Sequence, residues 1–182
     1  ILKCLAGEVD HSYEYATMES LPLFKENEEK GNYNTILYDL HRTSCDIWIN
    51  MAYDDPVWQE VVQDLRFRQA LNYALDRDEI IDAVYFGFAE KPTQFPTEMN
   101  VAKANQLLDE MGMDKKDSDG FRLGPDGKRF TIPIEYTEIF GDYTPVAELA
   151  TEYWGNIGIH VTTKDLESGL RSTRKSAHEL KA

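Results

Sequence analysis

Cysteine is scarce in this chain of 182 residues, with Cys4 and Cys45 alone. Two thiols cannot build the disulfide framework of a small secreted domain. A single bridge between them stays open, but nothing in the sequence brings them together, and two buried free thiols are the expectation. Long apolar runs are missing too. The longest, residues 83–89, has seven residues, against the roughly 20 a membrane-crossing helix needs. The chain is therefore expected not to span a membrane. Positive charge is in deficit: 19 Lys and Arg face 33 Asp and Glu, a formal net charge of −14. Nucleic-acid affinity comes mainly from Lys and Arg neutralising phosphates, so a field of this sign argues against nucleic acid as a partner.

The usual chemical signatures are also lacking. There is no phosphate loop, dinucleotide fingerprint, HExxH, CxxC or nucleophile elbow. His11, His41, His160 and His178 are scattered, none with a second ligand at metal spacing. The acidic turn at Asp117, Asp119 and Gly120 fails as a calcium loop. Counted from Asp117, position 5 is Phe121 and position 12 is Lys128, where an EF-hand supplies oxygen ligands. No metal and no cofactor is expected. Asp54 and Asp55 are adjacent carboxylates beside Pro56, a poorly held pair for acid–base work. No Met, basic region or apolar core marks a signal peptide at the start. Leu5-Ala6-Gly7 looks like a lipoprotein cleavage box, yet Glu8 stands where the lipidated cysteine would be. The expectation is an internal piece of a longer protein.

What is present supports a packed α/β domain. Leu, Ile, Val and Phe number 43, about 24 % of the chain, above the ~20 % below which charged chains tend to be disordered. The acidity is uneven: residues 1–60 carry 4 basic and 12 acidic groups, residues 121–182 carry 8 and 9. Ser20 is placed to cap a short helix with Pro22 in its first turn and Gly31 past its end. Two strand-like runs follow, 33–39 and 45–51. Asp55, before Pro56, is a boundary because a pre-proline residue is pushed away from helical angles. Phe67, Ala70, Leu71 and Ala74 make one helical apolar face. Asp76, with Glu79 three residues on, starts a second helix that buries Ile80, Ala83 and Val84 and stops at Gly87. Asn100 caps a third, with Ala104, Leu107, Leu108 and Met111 inward and Gly112 at its end. Residues 114–127 are turn chemistry around a short run, Phe121 to Leu123. Residues 130–136 alternate as a strand with one buried face, where Pro133 predicts an edge or bulge. Thr144-Pro145 opens a fourth helix with Val146, Leu149, Ala150, Tyr153 and Ile157 inward. Gly158 ends it, and 159–163 is a second strand with His160 on its exposed side. Strand, helix, strand here predicts a parallel βαβ unit with a right-handed crossover. The chain closes in a basic, helix-like stretch.

The run Asp64-Leu65-Arg66-Phe67-Arg68-Gln69-Ala70-Leu71-Asn72-Tyr73-Ala74-Leu75-Asp76-Arg77-Asp78-Glu79-Ile80 strongly resembles the signature of the family 5 extracellular solute-binding proteins, the oligopeptide-binding type that feeds ABC importers. Collinear marks accompany it: Ala6-Gly7-Glu8-Val9-Asp10, Ile49-Asn50, Gly87-Phe88-Ala89, Ala104 to Gly112, the Asp119-Gly120 and Asp126-Gly127 turns, and Gly158-Ile159-His160-Val161. Within the signature, Arg66, Arg68 and Asp76-Arg77 flank two core helices and are expected to be structural. The resemblance implies an α/β fold, part of a two-lobed periplasmic-binding-protein-like molecule with a mixed sheet and flanking helices. It implies that residues 1–55 are the tail of a first-lobe segment with the lobe crossing. Residues 56–182 would then be a second-lobe segment, truncated at its C-terminal end, with the family's main peptide anchor beyond Ala182.

Ligands of open α/β sheets bind beyond the carboxyl ends of the strands, here the loop 137–143. Tyr136 and Glu138 are the first candidates and Phe140 the next, while Asn50 and Met51 are candidates because a lobe crossing lines the cleft. The implied function is a non-enzymatic, extracytoplasmic binding component of an ABC import system. It would capture an oligopeptide by lobe closure and deliver it to the membrane permease subunits. The resemblance leaves open a lipid anchor on the full-length protein. An oligosaccharide or a nickel complex are alternative ligands. A different class would be a glycoside hydrolase using Glu138 with Asp142 or Glu135, held ~5–10 Å apart.

Overall fold

The computed structural model describes residues 1–12, 17–37, 45–139 and 141–182. Helix α1 (Leu2–Leu5), a 3-10 turn (Met18–Ser20), α2 (Leu21–Glu26) and α3 (Glu28–Gly31) come first. After an extended stretch follow α4 (Pro56–Gln63), α5 (Leu65–Ala74), α6 (Arg77–Tyr85) and α7 (Val101–Glu110). Strand β1 (Thr131–Tyr136), helix α8 (Tyr143–Asn156), strand β2 (His160–Asp165) and helix α9 (Ser168–Ser176) complete the order.

Short polar side chains start most of the later helices by accepting from first-turn N–H groups that have no partner within the helix. Asp55 accepts from Trp58 N at 3.1 Å, with Pro56 in the first position. Asp64 accepts from Arg66 N at 2.8 Å. It sits in extended geometry and splits what the sequence presents as one helical run into α4 and α5. Asp76 accepts from Asp78 N and Glu79 N at 3.1 and 3.0 Å, as expected. Glu79 does not reach back to close a capping box, because its carboxylate accepts from Tyr153 Oη on α8 at 2.5 Å. Asn100 accepts from Lys103 N at 2.9 Å.

Helices α4, α5, α7 and α8 and both strands share one core, and Val84 and Tyr85 of α6 form a second, smaller cluster with Val146 of α8. Trp58, Phe67, Leu108, Ile132, Ile157 and Ile159 are among the fully buried members of the first. Phe130 stacks on Trp58 at 5.5 Å and meets Phe67 edge-on at 5.4 Å, the arrangements aromatic quadrupoles favour. β1 and β2 pair in parallel, Thr131 opposite His160 through Tyr136 opposite Asp165, so the βαβ unit stands. On the other side of β1, Glu135 N donates to Ala182 O at 3.0 Å. By strand alternation Pro133 turns its donorless nitrogen to that same side, an outer edge where no ladder bond is lost. Arg122 is the buried charged residue among those described. Its guanidinium donates to Ile157 O (2.8 Å), Met113 O (2.5 Å), Asn105 Oδ1 (2.8 Å) and Asp109 Oδ1 (2.6 Å). It thereby ties α7, the hairpin 116–129 and the end of α8 together. Gly158 lies against it at φ +83°, where a Cβ would come within 3.1 Å of Arg122 Cγ.

Several local expectations are corrected. Residues 33–37 and 45–50 form no strand, and 38–44 lie outside the described residues. The alternation at 45–50 is real, since Ile47 and Ile49 pack on the core while Asp46 and Trp48 face out. A strand also needs a ladder, and a single bond, Asn50 N to Lys181 O at 2.8 Å, does not make one. Ser20 caps nothing; it ends the 3-10 turn, its hydroxyl 3.1 Å from that of Thr17. Gly31 is the last residue of α3, not the residue after it. A Cβ there would sit 2.6 Å from Leu5 O, and Asn32 takes the left-handed position at φ +50°. Ala83 is exposed and Ile80 half-buried, because α6 turns only Val84 and Tyr85 fully inward. The run 121–123 is held by two isolated antiparallel bridges, Lys116 to Arg122 and Leu123 to Arg129. In α8, Ala147 and Trp154 are buried while Leu149 is half-buried. His160 is half-buried rather than exposed, with Nδ1 3.0 Å from Thr131 Oγ1 and its ring edge-on to Phe121. Cys4 and Cys45 are free and half-buried, not fully buried.

Candidate ligand cleft

The loop after β1 is organised around one carboxylate. Glu138 Oε1 accepts from Gly141 N at 2.7 Å, and Oε2 accepts from Thr144 N at 2.7 Å and Thr144 Oγ1 at 2.8 Å. Tyr136 Oη donates to Thr144 Oγ1 at 3.1 Å and completes the chain. A negative side chain at a helix N-terminus meets unpaired N–H groups and the positive end of the helix dipole. Glu138 therefore performs for α8 the capping that Asp142, next to the helix, does not perform. Phe140 lies outside the described residues.

Asn50 is equally engaged. Its carbonyl accepts from Trp58 Nε1 at 2.7 Å, its Nδ2 donates to Leu180 O at 2.9 Å and its Oδ1 accepts from Ala52 N at 3.1 Å. Met51 exposes its side chain and accepts from Gln63 Nε2 at 3.0 Å through its carbonyl. The structure thus places Tyr136 and Glu138 at the α8 entry, and Asn50 and Met51 at the α4 entry. Residues 180–182 touch both sides, through Asn50 N to Lys181 O and Glu135 N to Ala182 O.

A cleft of about 1500 Å³ lies elsewhere. The extended stretch 45–49 and the turn 17–19 form one wall. The facing sides of α5 and α6, residues 88–95 and the start of α8 form the others. None of the four described candidates lines it. Sequence reading missed Trp48, Arg77, Phe88 and Phe95, which do. Trp48 was signalled by its outward parity in the 45–50 alternation, and its side chain is 80 % exposed.

The cleft is electrically uneven. At the C-terminal end of α6, Tyr85 Oη donates to Asp142 Oδ2 at 3.0 Å. Cys45 nearby has its thiol pushed up to about 12, first by burial and then by the negative charges of Asp142, Asp46 and Glu138. It stays protonated at neutral pH and is no nucleophile there. At the N-terminal end of α6, Arg77 donates to Asn72 O at 3.1 Å and to Asn72 Oδ1 at 2.7 Å. Its guanidinium lies 5.6 Å from the Phe95 ring centroid. Burial lowers its pKa from the usual guanidinium value, which leaves it a cation at any physiological pH. The bonds to Asn72 agree with the structural role expected of Arg77. Among the described residues, no group of His, Cys, Asp and Glu could hold a metal ion, and no helix is long and apolar enough to cross a membrane.

A parallel βαβ unit packed with capped helices and bordered by an open cleft defines a piece of a periplasmic-binding-protein fold. Within that class, the chain belongs to the bacterial extracellular solute-binding proteins of family 5, whose middle-region model matches residues 1–182. It is similar to the oligopeptide-binding protein AppA of Bacillus subtilis (strain 168). The two are 32 % identical over 123 residues, 59 % of this chain and 22 % of AppA. The solved oligopeptide-binding protein OppA superposes with a TM-score of 0.71 at 30 % identity, covering 99 % of this chain and 31 % of that one. The periplasmic binding protein MelB of Agrobacterium fabrum C58, in complex with stachyose, matches with a TM-score of 0.74 at 17 % identity over the same shares, a likeness of fold alone. The chain thus spans less than a third of these relatives' length.

Proposed function

We propose that this chain is the middle part of an extracytoplasmic receptor that captures oligopeptides and hands them to the permease subunits of an ABC importer. Residues 1–55 would be the tail of the first lobe with the crossing, and residues 56–182 the body of the second. The observation that carries the reading is the match of the family model over every residue, with relatives at 30 % identity or more named for binding oligopeptides. Capture works by lobe closure. Contacts that the ligand makes only in the closed state shift the open–closed equilibrium by the free energy of those contacts.

The structure lends the hydrolase alternative little support. Glu138 is spent on the α8 N-terminus, Glu135 is ion-paired with Arg174 and Asp142 accepts from Tyr85.

The test is to purify the whole receptor containing this chain, unfold and refold it to strip bound ligand, and follow its thermal midpoint against a mixed oligopeptide library and an oligosaccharide set. A ligand that binds only the folded state raises that midpoint by mass action. A shift with peptides is expected. A shift with oligosaccharides and none with peptides overturns the ligand class.

A further inference from the structure

We infer that the 3-10 turn Met18–Ser20 is a latch between the lobes, docking on the α6–α8 corner and adding to the closed state a contact that involves no ligand atom. This deepens the reading above and rests on its division of the chain, with residues 1–55 in the first lobe and residues 56–182 in the second. Under that division the smaller hydrophobic cluster is shared across the boundary. Val84 and Tyr85 of α6 and Val146 of α8 are its buried members, and Met18 packs against them from the first segment. The turn also meets the loop before α8. A Cβ on Gly141, which sits at φ +81°, would stand 3.3 Å from Glu19 Oε2 and 4.0 Å from Thr17 Cβ. The crossing itself belongs with the second lobe: Ile47 and Ile49 pack on the larger core, Asn50 bonds to Leu180 and Lys181, and Asp55 pairs with Lys181. The turn therefore reaches α6 as part of a different body.

The chemistry of the contact suits one that is made and broken repeatedly. Apolar burial is non-directional, and an unbranched, polarizable methionine fills an irregular gap without a fixed partner geometry. The turn keeps its own shape through Ser20 N donating to Thr17 O at 3.1 Å and the Thr17 and Ser20 hydroxyls 3.1 Å apart. Thr17, Met18 and Glu19 line the same cleft as Tyr85, Asp142 and Val146, so the latch borders the ligand space. Its consequence follows from linkage. The apparent affinity of a ligand is its affinity for the closed state scaled by the fraction of receptor that closes. A contact made only between protein groups therefore raises the affinity for every peptide by one factor and leaves the choice among peptides to the cleft.

The experiment uses the stripped whole receptor and three peptides of unlike sequence that the wild type retains from a random octapeptide library. Met18→Ala should weaken all three by the same factor, about five- to tenfold for a half-buried apolar side chain, and Met18→Leu should restore most of it. A second variant traps the contact. Thr17→Cys with Gly141→Cys, in a receptor whose Cys4 and Cys45 are replaced by serine, sets two Cβ atoms 4.0 Å apart, within the ~3.5–4.5 Å of a disulfide. Oxidation should crosslink them, and the crosslinked receptor should hold its peptide until it is reduced. If Met18→Ala fails to fold, the cysteine pair decides alone. Losses that differ from peptide to peptide overturn the latch and make Met18 a ligand contact. Unchanged affinities at a lowered denaturation midpoint, or a crosslink that forms while peptide still exchanges freely, also overturn it and put the turn in the second lobe's own core. If the wild type retains no peptide, the peptide reading fails separately. The latch then stands or falls on whether the crosslink reduces the radius of gyration of the receptor in small-angle scattering.

Discussion

The first 37 residues and the block from 56 to 166 are built on opposite terms. In the later block most apolar positions on a helix or strand are buried or half-buried, the larger core holding Trp58, Phe67, Leu108 and Ile132. Along the first stretch, Leu21 and Gly31 are the buried residues among those described, and Ile1, Leu2, Leu23, Ile36 and Leu37 stay exposed. Helices α1 to α3 have four to six residues each, too short to hold without tertiary support. The later helices carry a cap and a buried face together, and the early ones have neither. One block holds most of the buried apolar contacts, and the other holds few.

Matched phenylalanine truncations break that comparison most severely. Phe67→Ala removes a ring that is fully buried against Phe130, and it should cost ~3–5 kcal/mol, the range for large core deletions. Phe24→Ala, in α2 and half-buried, should cost under about 1 kcal/mol. Urea midpoints of the chain measure both. Equal losses would mean that the early segment is part of the same cooperative core.

Next in size is Arg122→Met, which keeps the volume and removes the donors. The carbonyls of Ile157 and Met113 would stay buried and unsatisfied, at ~1–3 kcal/mol for each such group. Asp109 is half exposed and rehydrates, so a total of about 3 kcal/mol is expected. A loss below about 1 kcal/mol would show that the hairpin and α7 hold together without the guanidinium.

Legibility follows the same divide. The faces of α5 and α7 and the caps at Asp76 and Asn100 were readable because each depends on residues within a few positions of one another, and the pairing of β1 with β2 was readable because strand, helix and strand follow each other directly. Residues 45–50 carry a strand's alternation without a strand, since the pattern records which side is buried and not which neighbour supplies the ladder. Asp64 was unreadable as a break because the apolar spacing runs through it, and only its extended backbone ends α4. Glu138 shows the limit for the site. A carboxylate two residues after a strand can meet a ligand or a helix N-terminus, and its choice of Gly141 and Thr144 depends on the fold of the whole loop. The cleft itself joins residues 17–19, 45–49 and 68–95, a distance along the chain that no local motif reports.

A smaller effect separates a cap from a ligand site. Asp76→Ala removes the acceptor for two first-turn N–H groups and should cost about 1 kcal/mol, within the ~0.5–2 found for lost caps, whereas Asp76→Asn keeps an acceptor and should cost less. Peptide capture by the whole receptor should not change with Asp76→Asn. Loss of capture at an unshifted midpoint would move Asp76 from the scaffold into the binding site.

The smallest effect lies at the junction between the two regions, where Asp55 caps α4 and pairs with Lys181 at 2.8 Å. The Lys181 hydrogen bond, then the Trp58 N–H, hold the Asp55 carboxyl below its ordinary value of 3.8. A carboxylate whose folded pKa is depressed releases its proton more readily in the native state. Its contribution to stability is therefore complete above the unfolded value and lost as the pH falls through the folded one. The pair is half-buried at the surface and still reached by solvent, so the contribution is small and screened by salt. Lys181→Met keeps an apolar stem and removes the ammonium that stands 4.9 Å over the Tyr53 ring and 5.1 Å over that of Trp58, so it should flatten the acid limb of stability measured below about pH 4. It should leave the rest of that limb to the Trp58 bond. Asp55→Asn should remove the whole of this group's titration while preserving an acceptor for Trp58 N. Urea midpoints of the three chains across the acid range would order them wild type, Lys181→Met, Asp55→Asn in steepness. Identical slopes would mean that Asp55 is solvated, and that the last residues of the chain are not fastened to the start of α4 through it.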